Sequence, residues 1–196
     1  MDAKPLLNYF SEYIDLNKEE QDFLISKVRY QKYLKGQYIL QQGDICRYSN
    51  FIVSGCVKMT YIDSSGHEHI VLFGIKDWWV SDLGSFIDQV PADYNIQCIE
   101  PTEVIQFTKQ NEEELMDKLP QVERLFHKKV QKAFVSAQRR IILNLSLTAK
   151  ERYLLFKKQY PSIEQRIPQY MIASYLGITK EFFSKLKKEL VSENLD

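Results

Sequence analysis

The chain has 196 residues, 44% of them hydrophobic, with 26 Lys and Arg balanced by 26 Asp and Glu, an ordinary composition for one large folded domain or two small ones. It holds no run of about 18 apolar residues to cross a membrane and no signal-peptide core in its opening MDAKPLLNYF; Cys46, Cys56 and Cys98 lie too scattered for a disulfide framework or a cysteine-rich metal site, so a cytoplasmic protein is expected. The even charge conceals an asymmetry: residues 1–120 carry 11 Lys/Arg against 19 Asp/Glu, and residues 121–196 carry 15 against 7, which suits a nucleic-acid-binding half joined to a half of different purpose.

Residues 5–27 read as helical, with Asn17 and Glu20 spaced as a capping box. From about residue 28, Gly36, Gly43, Gly55, Gly66 and Gly74 punctuate short segments at the spacing of an all-β sandwich or barrel. Over 51–62, Phe51, Val53, Val57, Met59 and Tyr61 are expected on one strand face, and Lys58 and Thr60 on the other. Asp63-Ser64-Ser65-Gly66 predicts a hairpin turn before a strand over 67–73, and strands follow over 94–100 and 103–108. Residues 109–118 return to helix. A long helix is then predicted over 121–146, with Val122, Leu125, Phe126, Val130, Ala133, Phe134, Ala137, Ile141, Ile142 and Leu145 forming one stripe. At 1.5 Å per residue it spans about 39 Å, and its stripe suits packing on the β domain on one side and on a second copy of the chain on the other. Thr148 and Glu151 form another capping box, opening a helix to about Gln159.

Residues 169–188, QYMIASYLGITKEFFSKLKK, are the most specific stretch. Pro168 suits the first turn of a helix. Ile172, Ala173 and Leu176 share one face, Gly177 suits a left-handed C-terminal cap, and Thr179 can cap a second helix that buries Phe183 and Leu186. This is the pattern of a helix-turn-helix. Its second helix presents Thr179, Lys180, Glu181, Ser184, Lys185 and Lys188 outward, donors and acceptors of the kind that read base edges in the major groove.

The combination resembles the Crp/Fnr superfamily of bacterial transcription regulators. Gln42-Gly43-Asp44, Phe51 through Val57 (FIVSGCV) and Ser81-Asp82-Leu83-Gly84 carry the likeness in the β-roll, and Ile172 through Thr179 (IASYLGIT) carries it in the DNA-binding part. The resemblance implies an α+β fold: an N-terminal antiparallel β-roll of jelly-roll, cyclic-nucleotide-binding-like type over 1–120, a long dimerisation helix over 121–146, and a helix-turn-helix domain over 147–196. It implies a homodimeric, sequence-specific regulator that binds near-palindromic promoter DNA, with RNA polymerase and an unidentified small-molecule effector as further partners and no membrane. The expected DNA contacts are Gln169, Tyr170, Thr179, Lys180, Glu181, Ser184, Lys185 and Lys188. The expected effector pocket comprises Trp79, Asp82, Leu83, Ala92 and Asp93.

Three departures from the family pattern matter. Ser81-Asp82-Leu83 stands where nucleotide-binding members carry Gly-Glu-Leu, and Ala92-Asp93 stands where their Arg-Ser pair meets the cyclic phosphate. A carboxylate in place of that guanidinium argues against cyclic AMP. The first 45 residues hold no cysteine for an iron–sulfur cluster, nothing in the spacing favours haem, and no cofactor is expected. The wing that usually follows the recognition helix is expected to be absent or reduced, since Val191–Asp196 follow directly, with its phosphate contacts passing to Gln169, Tyr170 or Lys187. That departure motivates an alternative: a small-molecule-binding or protein-interaction module of the same fold that has lost DNA binding.

Other residues have plainer explanations. His67 and His69 share a strand face but lack a visible third metal ligand. Trp78 and Trp79 suit core packing as well as a ligand site. Glu112-Glu113-Glu114 suits a solvated helix start. No nucleophile elbow or phosphate-binding glycine loop appears, so no enzymatic activity is expected.

Overall fold

Asn17 divides the helical segment expected over 5–27 into two. In the computed structural model, which describes residues 3–193, α1 spans Lys4–Ser11 and α2 spans Lys18–Ser26. The Asn17 side chain accepts from the Glu20 N–H at 3.0 Å, and the Glu20 carboxylate accepts from the Asn17 N–H at 2.8 Å. Each side chain satisfies an amide left without a helical carbonyl, so a new helix starts there.

Contacts divide the chain into two units. The first runs to Tyr61 and resumes over Val71–Gln131; the second joins Ile62–Ile70 to the chain from Lys132 onward. Eight strands, β1 (Arg29–Tyr33), β2 (Tyr38–Leu40), β3 (Tyr48–Ser54), β4 (Cys56–Ile62), β5 (Glu68–Ile75), β6 (Trp79–Val80), β7 (Asn95–Cys98) and β8 (Thr102–Thr108), form two four-stranded sheets, ordered β1-β8-β3-β6 and β2-β7-β4-β5, all within the first unit except the Ile62–Ile70 tip. The short helix α3 (Leu83–Asp88) sits between β6 and β7 in sequence. Ile52, Val57, Val80, Ile96 and Val104 pack in one core cluster. A second joins Phe51 and Phe107 to Leu6 and Phe10 of α1, Leu24 of α2, Leu115 of α4 (Lys109–Lys118) and the start of α5 (Pro120–Ser146).

The single face expected along 51–62 does not exist. Gly55 adopts φ +97° and ends β3, and a Cβ there would lie 2.6 Å from the Pro101 carbonyl oxygen. Only glycine fits so close a left-handed turn. The chain therefore leaves one sheet and enters the other, and side-chain parity changes: Phe51 and Val53 pack in one cluster, whereas Val57 and Met59 join Ile52 in the other. Lys58 and Thr60 are buried as well, and Tyr61 is exposed.

Helix α5 crosses from the first unit to the second at Gln131, and its apolar stripe divides in the same region. Val122, Leu125 and Phe126 are buried, but Val130, Phe134, Ile141 and Ile142 are exposed and Leu145 is 84% exposed. In the second unit, α6 (Ala149–Gln159) opens on the expected capping box of Thr148 and Glu151. A 3-10 turn over Ile163–Gln165, α7 (Gln169–Leu176) and α8 (Lys180–Glu193) follow. The wing expectation rests on the chain end, of which residues 194–196 lie outside the described residues.

Candidate nucleic-acid interface

Two tight helix boundaries make the corner between α7 and α8. Pro168 is the N-cap of α7 (φ −61°, ψ 146°) and not its first helical residue; its fixed φ serves an extended cap equally well. Gly177 closes α7 in the left-handed conformation at φ 68°, with its N–H on the carbonyls of Ala173 and Ser174, and the Ile178 N–H returns to Ala173 O at 3.0 Å. These bonds satisfy carbonyls that the helix end would otherwise orphan. Thr179 then caps α8, its hydroxyl accepting from the Phe182 N–H at 3.1 Å.

The corner rests on an aromatic and aliphatic base. Ile172, Ala173, Leu176, Phe183 and Leu186 are buried with Tyr153, Phe156 and Tyr160. The Tyr153 and Phe183 rings meet edge-on at 5.1 Å, and Phe156 lies 5.2 Å from Tyr175. The Tyr153 hydroxyl and the Lys187 ammonium both donate to Glu164 Oε1 at 2.6 Å. Burial raises the Glu164 pKa, but Lys187 and Tyr153 outweigh it and hold the carboxyl below its usual range. Lys187, expected as a phosphate contact, is thus half-buried in an internal ion pair.

Burying Phe183 and Leu186 turns the opposite face of α8 outward. Thr179, Lys180, Glu181, Lys185 and Lys188 are exposed, as are Gln169 and Tyr170 at the start of α7. Ser184 is half-buried, its hydroxyl donating back to the Lys180 carbonyl at 3.0 Å. Lys185 approaches Glu189 at 4.0 Å along the helix. The exposed surface of α8 thus carries three ammonium groups, the Glu181 carboxylate and, on the flank shared with Lys185, an exposed aromatic, Phe182. Sequence patterning missed Phe182, because it stands beside the buried Phe183 and reads as part of the same apolar stripe.

The tip of the β4–β5 hairpin also belongs to this unit. The Ser174 hydroxyl donates to the Glu68 carbonyl and accepts from the Ile70 N–H, both at 3.2 Å. Arg140 of α5 stacks on the Tyr175 ring at 4.4 Å. In the turn itself, Asp63 pairs with His69 at 2.8 Å and accepts from the backbone of Ser65 and His67. Hydrogen bonds from Ser65 and His69 hold its carboxyl below the usual range. His69 of β5 thus has a partner in the turn, and His67 lies just before the strand, its ring Nδ1 2.8 Å from the Ser65 hydroxyl.

The residues expected to form an effector pocket do not all converge. Asp82 is buried and caps α3: Oδ1 accepts from the Ser85 N–H at 3.0 Å and Oδ2 from the Asp93 N–H at 2.8 Å. Ala92 is buried beside them, its N–H on the Asp44 carbonyl at 2.8 Å. Leu83 is exposed. Trp79 packs instead against Phe51, Phe107 and Phe126 at 5.3–5.5 Å, with the Lys129 ammonium 3.2 Å above its ring. Burial pushes the Lys129 pKa down to about 7, opposed by the Glu112 carboxylate, and burial raises Glu112 in turn. A hollow of about 310 Å³ opens beside Ile39, Asp44, Cys46 and Asn50, and a wider one of about 580 Å³ beside Arg47, Gln89, Lys109 and Glu113. None of the five expected pocket residues lines either. Cys46, Cys56 and Cys98 are buried free thiols, and burial raises the pKa of Cys46 and Cys98.

Residues 30–118 match the cyclic nucleotide-binding domain family. The transcriptional activator protein Anr of Pseudomonas protegens is 28% identical over 144 residues, 73% of this chain and 58% of that protein; the chain thus covers less than two thirds of that relative. The solved structure of FixK2 from Bradyrhizobium japonicum superposes with a TM-score of 0.74 at 19% identity, covering 85% of this chain and 86% of that one. The c-di-GMP responsive global regulator CLP of Xanthomonas campestris superposes with a TM-score of 0.72 at 13% identity, covering 91% and 94%. These two likenesses establish a shared fold.

Proposed function

We propose that the chain is a regulator of the Crp/Fnr type: a homodimeric, sequence-specific DNA-binding transcription regulator of the cytoplasm, a reading supported by the match to the cyclic nucleotide-binding domain and the likeness to Anr. One observation carries the reading. Helix α8 buries Phe183 and Leu186 while turning Lys180, Glu181, Lys185 and Lys188 to solvent. Lysine donates to guanine O6 and N7, and glutamate accepts from cytosine N4. The N-terminal half of such a helix is the part that reaches base edges. Gln169 and Tyr170 flank it as phosphate-contacting groups, and Thr179 stands with the base-reading residues at the start of the helix.

Dimerisation rests on the outer half of α5. Val130, Phe134, Ile141, Ile142 and Leu145 are exposed there at spacings of three and four or adjacent to them, a stripe that a second copy of the same helix covers. A symmetric pair of α8 helices then reads a near-palindrome with half-sites about one helical turn apart. RNA polymerase is the partner through which such a protein acts on transcription.

Cyclic AMP is not the effector in this reading. Both oxygens of Asp82 are occupied by backbone N–H groups, those of Ser85 in α3 and of Asp93 beyond it, and Asp93 stands where an anion would need a cation. A roll closed on itself supports a second version, in which the domain is structural and the regulator responds to its own abundance. The alternative module without DNA binding is separated by the same experiment. Purified protein is incubated with a random duplex library at moderate salt, and the retained DNA is sequenced. Enrichment of one inverted repeat supports the regulator; retention of all sequences alike, or of none, rejects it. Titration calorimetry with cyclic AMP is expected to give no micromolar binding, and micromolar binding would overturn this part of the reading; native mass spectrometry of the purified protein distinguishes a carried effector from an empty roll.

A further inference from the structure

We propose that Phe182 reads the C5 methyl group of one thymine in each half-site, an inference that rests on the regulator reading above. Phe182 is 51% exposed in the first turn of α8, whereas its neighbour Phe183 is fully buried. Its position is held by the bond from its N–H to the Thr179 hydroxyl. It stands one turn ahead of Lys185 on the same side of α8, whereas Lys180, two residues back, lies on the other flank. The lysines supply the attraction that brings phosphate-rich DNA to this face.

A benzyl group has no donor or acceptor. It cannot bond a phosphate, and it cannot match the hydrogen-bonding pattern of guanine, cytosine or adenine. The thymine methyl is the one apolar group that the major groove presents. Contact between the two removes apolar surface of both from water and restricts the base at that position without a hydrogen bond. Lys180 and Glu181 thus specify neighbouring positions by polar contacts, and Phe182 specifies thymine by shape and apolarity.

The test uses the full chain and the duplex enriched in the library selection. Each thymine is replaced singly by deoxyuridine, which removes only the methyl group. Affinities are measured for the wild-type protein, Phe182→Ala and Phe182→Leu. One uracil position in a half-site is expected to weaken wild-type binding about fourfold, the effect of one methyl group's burial. Phe182→Ala should bind the thymine duplex more weakly and show no further loss with uracil, and Phe182→Leu should keep part of the preference. Equal tolerance of uracil at every position by the wild type overturns the proposal, as does an identical uracil penalty in wild type and Phe182→Ala. Either result leaves the regulator reading intact, because a selected duplex is still bound; failure to enrich any sequence removes both. Matching thermal unfolding of the three proteins excludes a folding defect.

Discussion

The loop at Asp82 and the outer face of α8 treat their polar groups in opposite ways. Asp82 is buried, and its two oxygens accept the N–H groups of Ser85 and Asp93. Lys180, Glu181, Lys185 and Lys188 stand in solvent. A buried carboxylate must be satisfied inside the fold, because leaving it bare costs more than a typical hydrogen bond returns. An exposed charge is hydrated and can exchange water for phosphate or base at small cost. The first region is built to keep its shape and the second to meet something else.

Breaking the base beneath α8 should have the largest effect. Phe183→Ala removes a fully buried ring that meets Tyr153 edge-on and is expected to cost about 3–5 kcal/mol, read by thermal or urea unfolding. The exposed Phe182→Ala should change stability little. Asp82→Ala should cost about 1–3 kcal/mol, from the lost α3 cap and the orphaned Asp93 N–H. The same measurement reads it, and DNA affinity should hold wherever the protein is folded.

Lys180→Ala and Glu181→Ala should leave stability unchanged and reduce discrimination at one base position by about 1–3 kcal/mol each. Competition binding against single-base operator variants checks this, and uniform weakening on all sequences would reassign the residue to phosphate. Comparable effects of Asp82→Ala on base discrimination and on stability would erase the contrast between the two regions.

Two smaller effects concern pH. Lys187 and Tyr153 hold the Glu164 carboxyl below its usual range. Its stabilisation is therefore present above the unfolded carboxylate pKa and is lost as pH falls through the folded value. Glu164→Gln should cost about 1–2 kcal/mol at neutral pH, with the gap to wild type closing in acid. Lys129 acts in the same sense in a higher window, here because its charged form is disfavoured by burial. Its pKa is pushed down to about 7, so between there and about 10.4 the unfolded chain holds the extra proton and stability rises with pH. Lys129→Met should flatten that rise in unfolding curves taken across the window.

The sequence by itself determined the elements whose causes lie within a few residues. The capping boxes at Asn17 and Thr148, the turn at Asp63–Gly66, the left-handed Gly177 and the extent of α4 all appear as the local pattern predicts. Each depends on a side chain bonding an amide about three residues away, or on one residue's backbone preference. The same locality made the exposed lysines of α8 legible, since helical periodicity separates them from Phe183 and Leu186.

Tertiary structure decided the rest. The division of Phe51 and Val53 from Val57 and Met59 between two clusters follows from the chain changing sheets at Gly55, beside Pro101 and Thr102 from a distant segment. The closure of Asp82 on Asp93, the capture of Lys187 by Glu164 and the hold of Ser174 on the hairpin tip likewise join residues far apart in sequence. Phe182 and Phe183 are chemically identical neighbours, and only the packing of α6 against α8 buries one and exposes the other. Burial and pairing across the fold depend on which surfaces meet, and a local pattern of residues does not encode that.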